Sequence, residues 1–133
     1  MYETLMLIDP ETSITDDVIY AAISKACLIS GGSSPTVSCR GSTFQIAWPG
    51  FSIELGRSDL PHVLEESQEI AQEFASGKPQ QNRIAQCRER IELAGDDDPA
   101  MDHFNDYCSV VEAIESLGIV YTFDQGTGEF MNL

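Results

Sequence analysis

The chain has 133 residues, 42% of them hydrophobic, and 22 Asp and Glu against seven Lys and Arg give it a formal net charge of −15. That length fits one domain able to bury roughly two thirds of the surface its unfolded form exposes. The acidity argues against direct nucleic-acid binding, which needs cations to neutralise phosphates, and against attraction to anionic membranes.

The charge is also uneven. Four of the seven bases fall between Lys78 and Arg90, whereas Asp96 to Leu133 holds nine acids and no base. Such an end repels anions and attracts cations. Ten Tyr and Phe beside the single Trp, with apolar residues at regular spacings, argue for a folded globule rather than a disordered acidic chain. The start, Met1-Tyr2-Glu3-Thr4, lacks a charged and then apolar leader, and no apolar run reaches the length of about 20 residues that crosses a bilayer. The expectation is a soluble, cytoplasmic protein.

The first strand is expected over Tyr2 to Ile8. Leu5, Met6, Leu7 and Ile8 leave it no polar face, which points to a central strand covered on both sides. Asp9-Pro10 ends it. Ser13 and Asp16 then open a helix whose Ile19, Ala22, Ile23, Ala26 and Cys27 recur at helical spacing, with a stop at Gly31-Gly32 and a loop from Gly31 to Pro35.

Between Thr36 and Gly56, the pairs Gly41-Ser42 and Pro49-Gly50 read as two-residue turns dividing three short strands. The registers follow. Cys39 opposes Phe44, Val37 opposes Ile46, Trp48 opposes Phe51, Ile46 opposes Ile53 and Phe44 opposes Leu55. One face is then apolar, and Ser38, Arg40, Thr43, Gln45, Ala47, Ser52 and Glu54 fall on a wet one.

Asp59, Leu60 and Pro61 mark the next helix, with Val63, Leu64, Ile70, Ala71 and Phe74 as its buried stripe and Gly77 as its end. A third, peripheral helix is expected over Gln80 to Ala94 on the seam Ile84, Cys87 and Ile91. After Gly95 and Asp96-Asp97-Asp98-Pro99, a fourth helix capped by Asp98 turns Phe104, Cys108, Val111 and Ile114 inward. Ile119 to Phe123 reads as a strand, and Gln125-Gly126-Thr127-Gly128 as the connection of a terminal hairpin. The fold class is therefore α+β: a single domain with a mainly antiparallel sheet in the order β-α-β-β-β-α-α-α-β, and helices packed on one face.

No dinucleotide fingerprint, phosphate loop, zinc-ligand spacing or nucleophile elbow occurs, so no catalytic residue, metal or cofactor is expected. Cys27, Cys39, Cys87 and Cys108 show no Cys-x-x-Cys spacing and each sits in an apolar pattern, as free, buried thiols would. Asp96, Asp97, Asp98, Asp102 and Asp106 form the best candidate site. Asp102 and Asp106 fall one helical turn apart, and acids at a helix start are favoured by its dipole. His103 points about 100 degrees away from Asp102 around that helix and reads as a solvated surface residue. The functional expectation is a protein–protein interaction module that meets a basic partner through these aspartates, as in inhibitors, immunity-like proteins and secretion chaperones. The alternatives are an inhibitor that mimics a nucleic-acid backbone, and a small-ligand binder or enzyme whose site is assembled from distant residues.

Overall fold

The apolar run at the start of the chain lies between two layers. In the computed structural model, which describes residues 1–29 and 34–133, β1 (Tyr2–Ile8) has a strand on either side, and Leu5, Met6, Leu7 and Ile8 are all buried. It is followed by α1 (Asp16–Ile29), β2 (Thr36–Arg40), β3 (Thr43–Trp48), β4 (Phe51–Ser58), α2 (Pro61–Phe74) and α3 (Gln81–Ala85). Then come β5 (Glu89–Gly95), α4 (Phe104–Glu115), β6 (Val120–Asp124) and β7 (Glu129–Phe130). The described strands form one sheet, ordered β2-β3-β4-β5-β1-β6-β7, with every neighbouring pair antiparallel. This is an α+β fold. The helix stop at Gly31-Gly32 and most of the loop from Gly31 to Pro35 lie outside the described residues.

The three-strand meander has the register its sequence dictates, with Cys39 opposite Phe44, Ile46 opposite both Val37 and Ile53, and Trp48 opposite Phe51. Gly41 (φ 61°) and Gly50 (φ 78°) supply the left-handed residues the two turns need. Phe44, Ile46, Trp48, Phe51, Ile53 and Leu55 are consequently buried on one face, while Thr43, Gln45 and Glu54 face water on the other.

Two features differ from the sequence reading. The segment expected as a third helix is the short α3 followed by strand β5, which inserts between β4 and β1. Ile84, Cys87 and Ile91 fit a helical seam, but from Glu89 onward buried Ile91 and Leu93 alternate with Arg90 and Glu92, the period of a strand. The helices also divide between the two faces rather than sharing one. α1 and α4 cover Met6, Ile8, Ile91 and the apolar side of the meander, whereas α2 and α3 place Ile70, Ala71 and Ile84 over Leu5, Leu7, Tyr121 and Phe123. A strand without a polar side requires this second layer.

Smaller departures follow from backbone detail. Met101 takes φ 56°, a left-handed conformation that delays α4 until Phe104, so Tyr107, Val110, Val111 and Ile114 face inward while Phe104 stays exposed and Cys108 half-buried. Among the thiols, Cys27 and Cys87 are buried and Cys39, on the edge strand β2, is exposed.

Candidate functional site

The segment carrying the five candidate aspartates leaves the end of β5 and enters α4, and three of its carboxylates are tied back to the fold by hydrogen bonds. Asp96 Oδ2 accepts both the amide (2.9 Å) and the hydroxyl (3.1 Å) of Ser52, while the Asp96 amide donates to the Ser52 carbonyl at 3.1 Å. Asp96 thus extends the β4–β5 ladder by a rung. Asp98 Oδ2 accepts the Tyr2 hydroxyl at 2.7 Å and the His103 amide at 3.0 Å. Desolvation pushes the Asp98 carboxyl up, but the Tyr2 hydroxyl and the His103 amide outweigh it and hold the group below the ordinary carboxylate range. Burial and the facing carboxylate push Tyr2 up to about 12.

Asp106 Oδ2 lies 3.0 Å from His103 Nδ1, and the His103 ring stacks on Phe51 with centroids 4.4 Å apart and planes 4° from parallel. The histidine read as a solvated surface residue is instead a half-buried wedge between an aromatic pair, Trp48 and Phe51, and an aspartate. Nothing in its sequence position marks it, because its partner Phe51 lies two strands away. Beside it, Tyr2 stacks on Tyr107 at 4.3 Å. Two of the five aspartates remain outward. Asp97, with its side chain 83% exposed, faces the N-terminal ammonium at 3.3 Å, and Asp102 is exposed with no side-chain partner among the described residues.

A second group of acids, assembled from three strands, adjoins this segment. On the sheet face that α2 and α3 cover over part of β1, β5 and β6, Glu3, Ala94 and Glu54 are exposed and stand side by side across β1, β5 and β4. Glu92, two residues before Ala94, stands directly between Leu5 and Gly56 and so lies diagonal to Glu3 and Glu54, about 7–8 Å away. The residues between the acids are small: Ala94, Gly56 and Thr43. The result is an open depression of about 440 Å³ with three glutamates on its floor, and Asp96 continues it over the end of the sheet. Sequence reading put Glu54 on the wet face but could not bring Glu3 and Glu92 beside it, since that depends on the order of β1, β5 and β4.

Arg90 lines the same depression and neutralises one of its three glutamates, Glu92. Arg90, buried, joins Glu66 of α2 (2.8 Å) to Glu92 (2.8 Å); Arg57 joins Asp16 (2.8 Å) to Glu89 (3.2 Å). Arg83 is committed to Asp9, at 2.6 Å. Each of these cations is shared between structural contacts, so Glu3 and Glu54 have no ion-pair partner among the described residues.

Other depressions differ in character: one of about 690 Å³ at the end of β1 mixes Asp9, Asp59 and Glu89 with Arg88, and one of about 400 Å³ at the start of α1 holds Asp16, Asp17 and Glu89 around Arg57. The groove between α1 and α4, about 750 Å³, is larger, but alanines and serines dominate its walls and only Lys25 and Glu112 bring charge. We place the candidate site over the sheet depression because acids from three strands meet there. Among the described residues no three His, Cys, Asp or Glu side chains are grouped so as to hold a metal ion, and no helix is long and apolar enough to cross a membrane. Compared with protein-family models, with curated proteins and with solved structures, the chain has no significant match in any of the three.

Proposed function

We propose that the protein is an interaction module that binds a basic protein partner through the acidic side formed by Glu3, Glu54 and Glu92, with Asp96 at the end of the sheet and Asp97 and Asp102 exposed on the loop that follows. The observation that carries this reading is the row Glu3–Ala94–Glu54, an uncovered piece of sheet on which carboxylates surround small residues. A flat floor of this kind admits long cationic side chains from above, and Arg, with its planar fork, suits paired carboxylates best. Asp98 and Asp106, which sequence reading grouped with the others, contribute by holding the loop in place, since their oxygens are taken by Tyr2 and His103. The class of protein this favours is an inhibitor, immunity-like or chaperone-like factor, whose role is occupation of another protein's basic surface rather than chemistry.

A second reading, mimicry of a nucleic-acid backbone, has one observation in its favour. Glu65, Glu69 and Glu73 are exposed on α2 at four-residue steps, about 6 Å apart along the axis, a spacing of the order of that between successive phosphates. Both readings are tested by immobilising the protein and eluting bound proteins with a salt gradient. A basic protein retained at low salt and released as salt rises supports the first, because rim charges are screened within about a Debye length of 10 Å at 0.1 M. Displacement of that protein by duplex DNA favours the second. Retention insensitive to salt contradicts both.

A further inference from the structure

The sheet has two ends, and they differ. One is β7, only two residues long; the other is β2, five residues, exposed at Thr36, Ser38, Cys39 and Arg40. An uncovered edge strand presents unpaired backbone donors and acceptors and is a ready template for another strand. Which groups β2 offers follows from its hairpin. Arg40 and Thr43 flank the two-residue turn Gly41-Ser42, so their backbone groups face each other, and in an antiparallel ladder the direction alternates residue by residue. Arg40, Ser38 and Thr36 therefore bond to β3, while the N–H and C=O of Val37 and Cys39 point outward. The same alternation is visible further along the meander, where the Arg57 amide reaches the Ser42 carbonyl at 2.9 Å and the Asp96 amide reaches Ser52.

What can cover this edge is constrained by charge. From Val18 to Ile53 the chain has no Asp or Glu and two bases, Lys25 and Arg40, so this stretch carries +2 and the remainder −17. It supplies most of α1, which lies against β2, and all of β2 and β3. A contact made here sets one weakly positive stretch against another, a far smaller repulsion than two acidic remainders meet elsewhere. The strand is also self-complementary. When two β2 strands run antiparallel about a two-fold axis at Ser38, Val37 lies opposite Cys39 of the other copy, and each outward N–H meets an outward C=O. A shift of one residue would face outward groups with inward ones; a shift of two would bring Pro35, which has no N–H, opposite Cys39 in one direction and the turn residue Gly41 opposite Val37 in the other.

We propose that the protein forms a two-fold dimer through β2, joining two sheets edge to edge with Val37 paired to Cys39 in both directions. This is an isologous contact that closes on itself. It does not depend on the basic partner proposed above, and its salt dependence has the opposite sign. Salt screens the repulsion between the acidic remainders, so the dimer tightens about threefold or more between low and high ionic strength, while an acid–base complex weakens.

Two measurements test it. Sedimentation velocity over a range of protein concentrations and salt is run on the wild-type chain and on Cys39→Pro. That substitution removes a donor pointing out of the fold and is tolerated on an edge strand. The expected result is a monomer–dimer equilibrium that salt favours, weakened at least tenfold in the variant. Independently, Ser38→Cys combined with Cys39→Ser is oxidised. Ser38 would face its own copy as a non-hydrogen-bonded pair, about 4.5 Å between Cα atoms, within reach of a disulfide. A cross-linked dimer mapped to residue 38, absent in a Ser76→Cys control, supports the proposal. A wild-type chain that stays monomeric at every salt and concentration overturns it, as does a dimer untouched by Cys39→Pro or a residue-38 yield no higher than the control. If Cys39→Pro fails to fold, the cross-link decides alone.

Discussion

Asp9 and Arg83 form a two-pronged pair, Arg83 Nε 3.0 Å from Asp9 Oδ1 and Nη2 2.6 Å from Oδ2, around a carboxylate that is 1% exposed. The Tyr121 hydroxyl (2.6 Å) and the Glu11 amide (3.1 Å) complete its shell, so the end of β1, the following turn, α3 and β6 meet at one anion.

This pair sets an acid limit on stability. Burial pushes the Asp9 carboxyl up, but the Arg83 and Tyr121 hydrogen bonds prevail and its folded pKa lies below the ordinary value. Its contribution is complete above the unfolded pKa of about 3.9 and is lost as pH falls through the folded one. Asp9→Ala, which strands the other partners, is expected to cost about 3 kcal/mol in chemical denaturation at pH 7. Arg83→Ala removes the largest of the influences that lower it, so the carboxyl's pKa rises towards or past its unfolded value and the variant's deficit relative to wild type should shrink as pH is lowered through 4. A deficit that is constant with pH would place the pair outside the stability balance.

Ser67 gives a stabilising substitution. Its side chain lies on the inner face of α2, and its Oγ is the buried side-chain polar atom without a hydrogen-bond partner among the described residues. Ser67→Ala removes an uncompensated desolvation cost and improves helix propensity, for an expected gain of about 1 kcal/mol. Thermal and urea unfolding would show it; a loss of stability would mean that the hydroxyl has a partner in solution.

The two-layer architecture predicts that neighbouring residues of β1 matter alike. Met6 and Leu7 are both fully buried, one under α1 and α4 and the other under α2 and α3. Met6→Ala and Leu7→Ala should each cost about 3 kcal/mol. If either variant unfolded at the wild-type denaturant midpoint, the layer over that side would be absent.

The elements legible in the sequence were those whose signal is local. The ends of β1, the registers of the meander and the terminal hairpin follow from turn residues and from alternation over a few positions, and all appear where Asp9-Pro10, Gly41-Ser42, Pro49-Gly50 and the glycines after Gln125 place them. β5 was hidden because Ile84 and Cys87, which belong to α3 and the turn after it, complete a false helical seam with Ile91. The candidate site was legible only as charge. That Asp96 reaches Ser52, that His103 stacks on Phe51 and that Glu3 stands beside Ala94 are long-range pairings, fixed by strand order and by the left-handed Met101, neither of which local spacing encodes.

The proposed role rests on the exposed carboxylates of the sheet binding a basic protein. Its most direct test is the dissociation constant of a protein captured by salt-gradient elution, measured at low salt for the wild-type chain, for Glu3→Gln/Glu54→Gln, and for Glu69→Gln/Glu73→Gln, which removes the same charge from α2. The expected result is a loss of about tenfold or more for the first pair, close to 1.4 kcal/mol, and a smaller effect for the second. Equal effects from both pairs, or none from Glu3 and Glu54, would contradict it.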